Sequence, residues 1–436
     1  MMTTQALPDF LGLLKKEVIP AQGCTEPIAV AFAVSVASEQ LSCDPADIKE
    51  IHLLLSANII KNALGVGIPG TGAVGIEIAA ALGAVVRRSD AHLEVLANFA
   101  PEQLELARQM VAKKRIQIEQ KATDEQLYIE AQLKSVTGET SRAVVARDHT
   151  NVVRIEHNGK VICDKPLSVS SASDAGTGLT IKNIYDFATS VDAADIAFLL
   201  DCVSLNMAVS NEGLSGGYGL RVGEKIASGT SGASSMLLNN IALRIMAATA
   251  AGSDARMAGC QLSVMTVAGS GNQGIACTVP VIELARELGS SDEELSRALA
   301  ISGLVVCHLK EYMGRLSPLC GSGIAGGTGA CCGMTYLQGG TESQLEAAVN
   351  NMIAMLQGMI CDGAKATCAL KIAAGTNAAL HCSALALADI SPSSLDGIVF
   401  DNVEDTICNI GTFVREGMQH TDETILSIML KKQLGN

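Results

Sequence analysis

The chain has 436 residues, 48% of them hydrophobic, enough to bury at least one large core and to build two or three domains. Its 45 acidic against 31 basic residues give a formal net charge of −14, which repels phosphate backbones and anionic lipid surfaces and argues against a nucleic-acid partner. Mean hydropathy is positive (+0.31), yet the apolar runs Pro27–Ser38 and Ala298–Cys307 fall short of the roughly 20 residues that a membrane-spanning helix needs, so no membrane is expected. The N-terminus has no basic region followed by an apolar core, and the expectation is a cytoplasmic protein.

In chain order, a short N-terminal helix leads to Gly23-Cys-Thr-Glu-Pro, which opens an apolar helix reaching Glu39. Thr25 reads as its cap, and Pro27 suits the first turn. Cys24 then lies just before a helix N-terminus, where unpaired N–H groups and the helix dipole favour a thiolate. Ile51–Ser56 is an apolar run of strand length. The glycine-rich stretch Leu64–Gly75 that follows reads as a functional loop. A charged helix is predicted over 102–114, and period-two alternation predicts strands at Ile116-Gln-Ile-Glu and Leu127-Tyr-Ile-Glu-Ala-Gln-Leu. More sheet is expected at Ala143–Ala146 and from Val152, with a turn at Asn158-Gly159. Residues 1–170 therefore read as an α+β domain that carries Cys24 and the glycine-rich loop. Ser168–Thr180 lacks large apolar anchors and reads as a linker. Beyond it, Ala/Leu/Met/Ile segments at helical spacing, separated by Gly/Ser loops, predict a mainly α-helical domain over 180–436.

Fourteen cysteines in a cytosolic chain call for metal ligation or apolar packing, because disulfides are rare there. Ten of them (Cys43, Cys163, Cys202, Cys260, Cys277, Cys307, Cys331, Cys332, Cys382 and Cys408) sit among small or apolar neighbours and read as packed thiols. Cys361 and Cys368 form a Cys-x6-Cys pair near a predicted helix start, where positions seven apart share a face. Cys320 would complete a three-sulfur site. Spacing leaves three readings open: packed thiols, zinc with an open fourth position, or an iron–sulfur cluster with one iron left to a substrate.

The two glycine loops, Leu64–Gly75 and Gly269–Gly274, match no nucleotide fingerprint. In a small-molecule enzyme they would offer backbone N–H groups and the amides of Asn62, Asn272 and Gln273 to a carboxylate, with Lys61 pairing the same group. Plain tight turns and a surface lysine are the alternative. His149 reads either as a donor to substrate or cluster or as a structural histidine.

Several phrases carry a resemblance. Gly23-Cys-Thr-Glu-Pro, Lys61-Asn-Ala-Leu-Gly-Val with Pro69-Gly-Thr-Gly, Ser253-Asp-Ala-Arg-Met-Ala-Gly, Gly269-Ser-Gly-Asn-Gln-Gly-Ile, Gly358-Met-Ile-Cys-Asp-Gly-Ala and Cys368-Ala-Leu-Lys resemble those of the L-cysteine desulfidases, from about Val18 to Thr421. That family is related to the alpha part of iron–sulfur L-serine dehydratases. The resemblance implies a 4Fe–4S cluster on Cys320, Cys361 and Cys368, Cys24 as the base, and a β-elimination that turns L-cysteine into pyruvate, ammonia and sulfide. The base would be a thiolate with its pKa brought toward neutrality. Unlike the serine enzymes, the chain has no cysteine after Cys408, which favours cysteine over serine as the expected substrate.

Two other readings compete. A pyridoxal-phosphate lyase would need a Schiff-base lysine and a phosphate loop, and none of Lys61, Lys365 and Lys371 lies in such a setting. A non-enzymatic helical binding or assembly protein would use its cysteines as core residues. A homodimer is the default expectation for assembly.

Overall fold

The computed structural model describes residues 8–123, 125–165, 177–228 and 240–433. An N-terminal α/β region with a mixed sheet is followed by a mainly helical part, as the pattern of the chain predicts. The sheet has six strands in the spatial order Ile116–Gln120, Ile48–Leu55, Tyr128–Ser135, Thr140–Ala146, Val152–His157 and Lys160–Asp164. The first two are parallel, because the helix Pro101–Ala112 lies between them in the chain, and the remaining neighbours are antiparallel. Asn158 (φ 49°) and Gly159 (φ 76°) make the last hairpin turn. Positive φ at both central residues is what a type I′ turn requires, and Asn-Gly supplies it at little cost.

Alternation in the strands works as expected: Ile51, Leu53 and Leu55 are buried with Ile129, Ala131 and Leu133 in one core. The helix Thr25–Ser38 lies on that face and is covered in turn by Ile76–Val86. Apolar on every side, it is buried along its whole length.

The second core gathers around the long helix Asp292–Met313, with Gly271–Leu288 and Gly327–Leu337 against it. The chain ends are exchanged between the two cores. The first helix, Phe10–Glu17, gives Phe10 and Leu14 to the helical core. The last, Thr421–Gln433, packs on Ala57–Ala63 and gives Leu426 to the α/β core. Strand Pro20–Gln22 pairs with Ser263–Met265 beside the same seam.

Two expectations change on the fold, and one lies largely outside the described residues. The linker at 168–180 falls largely on 166–176, outside the described residues; its end is described, where Thr180 caps the helix Ile181–Ser190. The glycine-rich stretch is a small hairpin, Gly67–Ile68 against Ala73–Val74. A Cβ on Gly67 would stand 2.4 Å from the carbonyl carbon of Ala258, so this glycine lets the hairpin press on the end of the helix Ile241–Met257. Finally, Ala193–Leu214 has the length and apolar composition of a spanning helix, which the search for uncharged runs passed over. It is broken into a short helix, a 3-10 turn and the helix Asp201–Leu214, and it sends Ile196, Leu199, Cys202 and Val209 into the helical core.

Candidate functional site

Backbone pairing assembles three thiols. Leu319 and Ile360 form an isolated antiparallel bridge, in which the Cys320 N–H donates to Met359 O (2.8 Å) and the Cys361 N–H to Pro318 O (2.7 Å). This bridge sets Cys320 and Cys361 side by side although they are far apart in sequence. The chain then turns at Gly363 (φ +95°), where a Cβ would stand 2.1 Å from Lys61 O, and Cys368 starts the helix Cys368–Leu387. Only Cys368 is helical, so the shared helix face expected for the Cys-x6-Cys pair does not exist; a bridge and a turn bring the two thiols together instead. Cys320 is buried, and Cys361 and Cys368 are partly exposed. Burial pushes the Cys320 thiol up to about 12, with the charges of Cys361 and Cys368 adding to it. Burial also raises Cys368.

Cys24 joins them, in one packed cluster with Cys368; it takes the N-cap position of the helix Thr25–Ser38 with extended φ/ψ (−88°, 134°), and Thr25 is the first helical residue rather than the cap. The Cys24 thiol donates to Glu26 Oε2 at 3.1 Å, and the Thr25 hydroxyl donates to the same oxygen at 3.0 Å. The helix N-terminus does not make Cys24 a thiolate. Burial and the Glu26 carboxylate push its pKa well above the ordinary value, and Arg256 only partly counters them.

These groups line one cavity of ≈ 100 Å³ at the seam between the two cores. Cationic and polar side chains surround the thiols in it. Its wall also holds Asn62, Asn272 and Gln273. Asn272 accepts from Arg256 Nη1 (3.1 Å), and Gln273 Nε2 donates to Val267 O (2.9 Å), so both amides are already engaged. Asn62 carries no hydrogen bond. The first turn of the helix Gly271–Leu288, capped by Ser270, faces the cavity and adds the positive end of a helix dipole.

Lys61 does not line the cavity. Its side chain is fully buried, with Nζ 2.5 Å from Asp422 and 3.3 Å from Cys361 O. His149 does line it; burial lowers its pKa, and its Nε2 has no hydrogen-bond partner. The other cysteines are free thiols, seven of them buried; Cys43 and Cys163 are half-buried, and Cys408 is exposed, against the packed role expected of it. A larger groove of ≈ 590 Å³ crosses the sheet, but its Glu130, Arg142 and Glu156 pair with one another and no thiol lines it.

Sequence reading missed Glu26, Arg256 and Lys310 as members of this wall. Glu26 and Arg256 stand inside phrases already singled out and were within reach. Lys310 gave no signal, being one of several charged residues on the helix Asp292–Met313 and outside every phrase singled out. It is buried, carries no hydrogen bond, and is lowered to about 8 by burial although Cys361 and Cys320 act to raise it.

Thiols, a carboxylate and cations converge on one cavity, the kind of setting in which an active site is sought. The chain belongs to the serine dehydratase alpha chain family, whose model matches residues 90–427; the family points to a lyase. That span contains the three clustered cysteines but not Cys24, Glu26 or Asn62. Full-length similarity reaches them: a UPF0597 protein of Clostridium perfringens (strain SM101) is 51% identical over 428 residues, 98% of this chain and 99% of the relative. One from Bacteroides thetaiotaomicron is 44% identical over 425 residues, 97% of each chain, and one from Oleidesulfovibrio alaskensis is 42% identical over 430 residues, 97% of this chain and 98% of the relative.

Proposed function

We propose that this protein is an iron–sulfur-dependent β-eliminating lyase that converts L-cysteine to pyruvate, ammonia and sulfide, with a 4Fe–4S cluster on Cys320, Cys361 and Cys368. The observation that carries the reading is the convergence of these three thiols on a cavity that Cys24 also lines, in one packed cluster with Cys368. The donor set fits a cluster. Lys310 is a buried cation without a hydrogen-bond partner, and it and Lys371 feel the charges of Cys320 and Cys361, so both would offset the negative charge of ligating thiolates.

When bound, the cluster supplies an open iron as a Lewis acid for the leaving group. The chain's own residues do the rest. The first turn of the helix Gly271–Leu288, the Arg256 guanidinium and the Asn62 amide hold the substrate carboxylate, and Cys24 takes the α-proton. Fourteen free thiols suit a reducing compartment such as the cytoplasm.

The family match favours L-serine as the second reading, with hydroxide in place of sulfide as the leaving group. Anaerobic purification, an iron and sulfide assay, and measurement of pyruvate and sulfide from each amino acid test both. Four irons per chain with sulfide release from L-cysteine are expected. A loaded protein that makes pyruvate from L-serine and no sulfide from L-cysteine overturns the cysteine reading.

A further inference from the structure

We propose that Glu26, hydrogen-bonded to the Cys24 thiol across 3.1 Å, receives the proton that Cys24 passes on as it takes the substrate's α-hydrogen. This role rests on the lyase reading above and adds a residue to it.

The geometry places the carboxylate where such a proton must go. Glu26 is buried in the first turn of the helix Thr25–Ser38, lines the same cavity as Cys24, and accepts from both Cys24 and Thr25 on one oxygen. A buried thiol beside a carboxylate is a poor source of thiolate, because ionising it would put two negative charges 3.1 Å apart in a poorly solvated site. The thiol can still serve as a base when its own proton leaves as the new one arrives. Glu26 is ready for that proton. Burial raises its pKa, but the net shift is downward, with the hydrogen bonds donated by Cys24 and Thr25 lowering it. The charged and titratable groups facing this pair are Arg256 beside Cys24, His149 with Asp148 and Arg315 behind it, and, across the shared cavity, Lys310, Lys371 and the thiols of Cys320, Cys361 and Cys368; K310M is therefore run beside each variant, so that the titration of Lys310 is told apart from that of Cys24.

The step balances. The Cα–H electron pair becomes the Cα=Cβ bond, and the Cβ–S bond breaks with its pair leaving on the substrate sulfur. The α-proton goes to Cys24 Sγ, and the proton already on Sγ goes to Glu26 Oε2. Cys24 ends as a thiol and Glu26 as a neutral acid, whose proton returns through Cys24 to the departing sulfide. Glu26 is thus a positioning and proton-holding residue that acts through Cys24.

The test uses the reconstituted holoenzyme as wild type, E26Q and E26D. Without substrate, the S–H stretch of Cys24, isolated in infrared spectra by subtracting C24S, is expected at the low frequency of a strong donor and moves up in E26Q. With substrate, E26Q is expected to lose about a hundredfold in kcat, the size of a positioned proton-transfer group, at unchanged iron content. Its residual rate should climb with pH as the thiol ionises unaided, while the wild-type rate stays level over neutral pH. E26D should keep the level profile, and it carries the infrared and pH arms if E26Q does not fold. An S–H band that does not move, a wild-type kcat in E26Q, or a lower rate with an unchanged profile each overturns the role. A wild type that eliminates nothing from cysteine or serine counts against the lyase reading and this role together; a wild type that eliminates while E26Q does so equally counts against Glu26 alone.

Discussion

Lys61 and Asp422 form an ion pair at 2.5 Å that ties the helix Ala57–Ala63 to the last helix, Thr421–Gln433, with the lysine side chain fully buried. The same Nζ reaches the carbonyl of Cys361 at 3.3 Å, so one cation fixes both the chain end and the backbone of a thiol in the cavity wall.

Removing the aspartate leaves that lysine buried without its countercharge. D422N should lower the unfolding free energy by about 3 kcal/mol, the lower end for breaking a buried pair, because Asp422 is itself partly exposed. Replacing both partners, as K61M/D422L, should recover most of the loss. Urea unfolding of the three proteins checks this. The KM for the amino acid should not change in D422N, since Lys61 lies outside the cavity; a KM raised tenfold with stability intact would restore Lys61 to substrate binding.

The three clustered thiols should behave as a set. C320A, C361A and C368A should each lose iron, acid-labile sulfide and activity together, because two thiolates do not hold a cluster as three do. C331A and C332A should keep all three properties, because both thiols are fully buried between packed helices. Each should cost only about 1 kcal/mol of stability for a small cavity. Metal analysis of the five variants decides the ligand set.

C24S should separate chemistry from ligation. Its iron content should match wild type, and elimination should fall by about a hundredfold or more. Loss of iron in C24S would move Cys24 among the ligands and displace one of the other three.

Lys310 offers a pH test in the apoprotein. Burial lowers it to about 8 from 10.5. Between those values the folded chain binds fewer protons than the unfolded one, so this residue's contribution to stability rises with pH across that window and is unfavourable below it. The full effect is about 3 kcal/mol. K310M apoprotein should therefore be more stable than wild type at pH 7, with the difference vanishing by pH 10.5. Comparing the two proteins at each pH cancels the thiols remote from Lys310; Cys320 and Cys361 are coupled to it, so the comparison is repeated in a C320A/C361A background. The same substitution should reduce cluster retention, because the cation beside Cys320 and Cys361 is gone.

What the sequence determined by itself was mostly local. Alternation marked Ile116–Gln120 and Tyr128–Ser135 as strands, Asn158-Gly159 marked the turn between Val152–His157 and Lys160–Asp164, and the apolar run after Glu26 marked a helix, because each signal arises between residues close in the chain. Family phrases also marked Cys24, Asn62, Asn272, Gln273, Cys320, Cys361 and Cys368, all of which line one cavity. The tertiary structure decided how they meet. The bridge of Leu319 with Ile360 and the turn at Gly363 bring Cys361 to Cys320 and Cys368, where spacing predicted one helix face. It also decided charge states. A helix N-terminus read locally promises a thiolate, but burial and Glu26 reverse that at Cys24, and Asp422, 361 residues away, claims Lys61. Ionisation depends on what surrounds a group in space, and those neighbours came from both cores and from the exchanged chain ends.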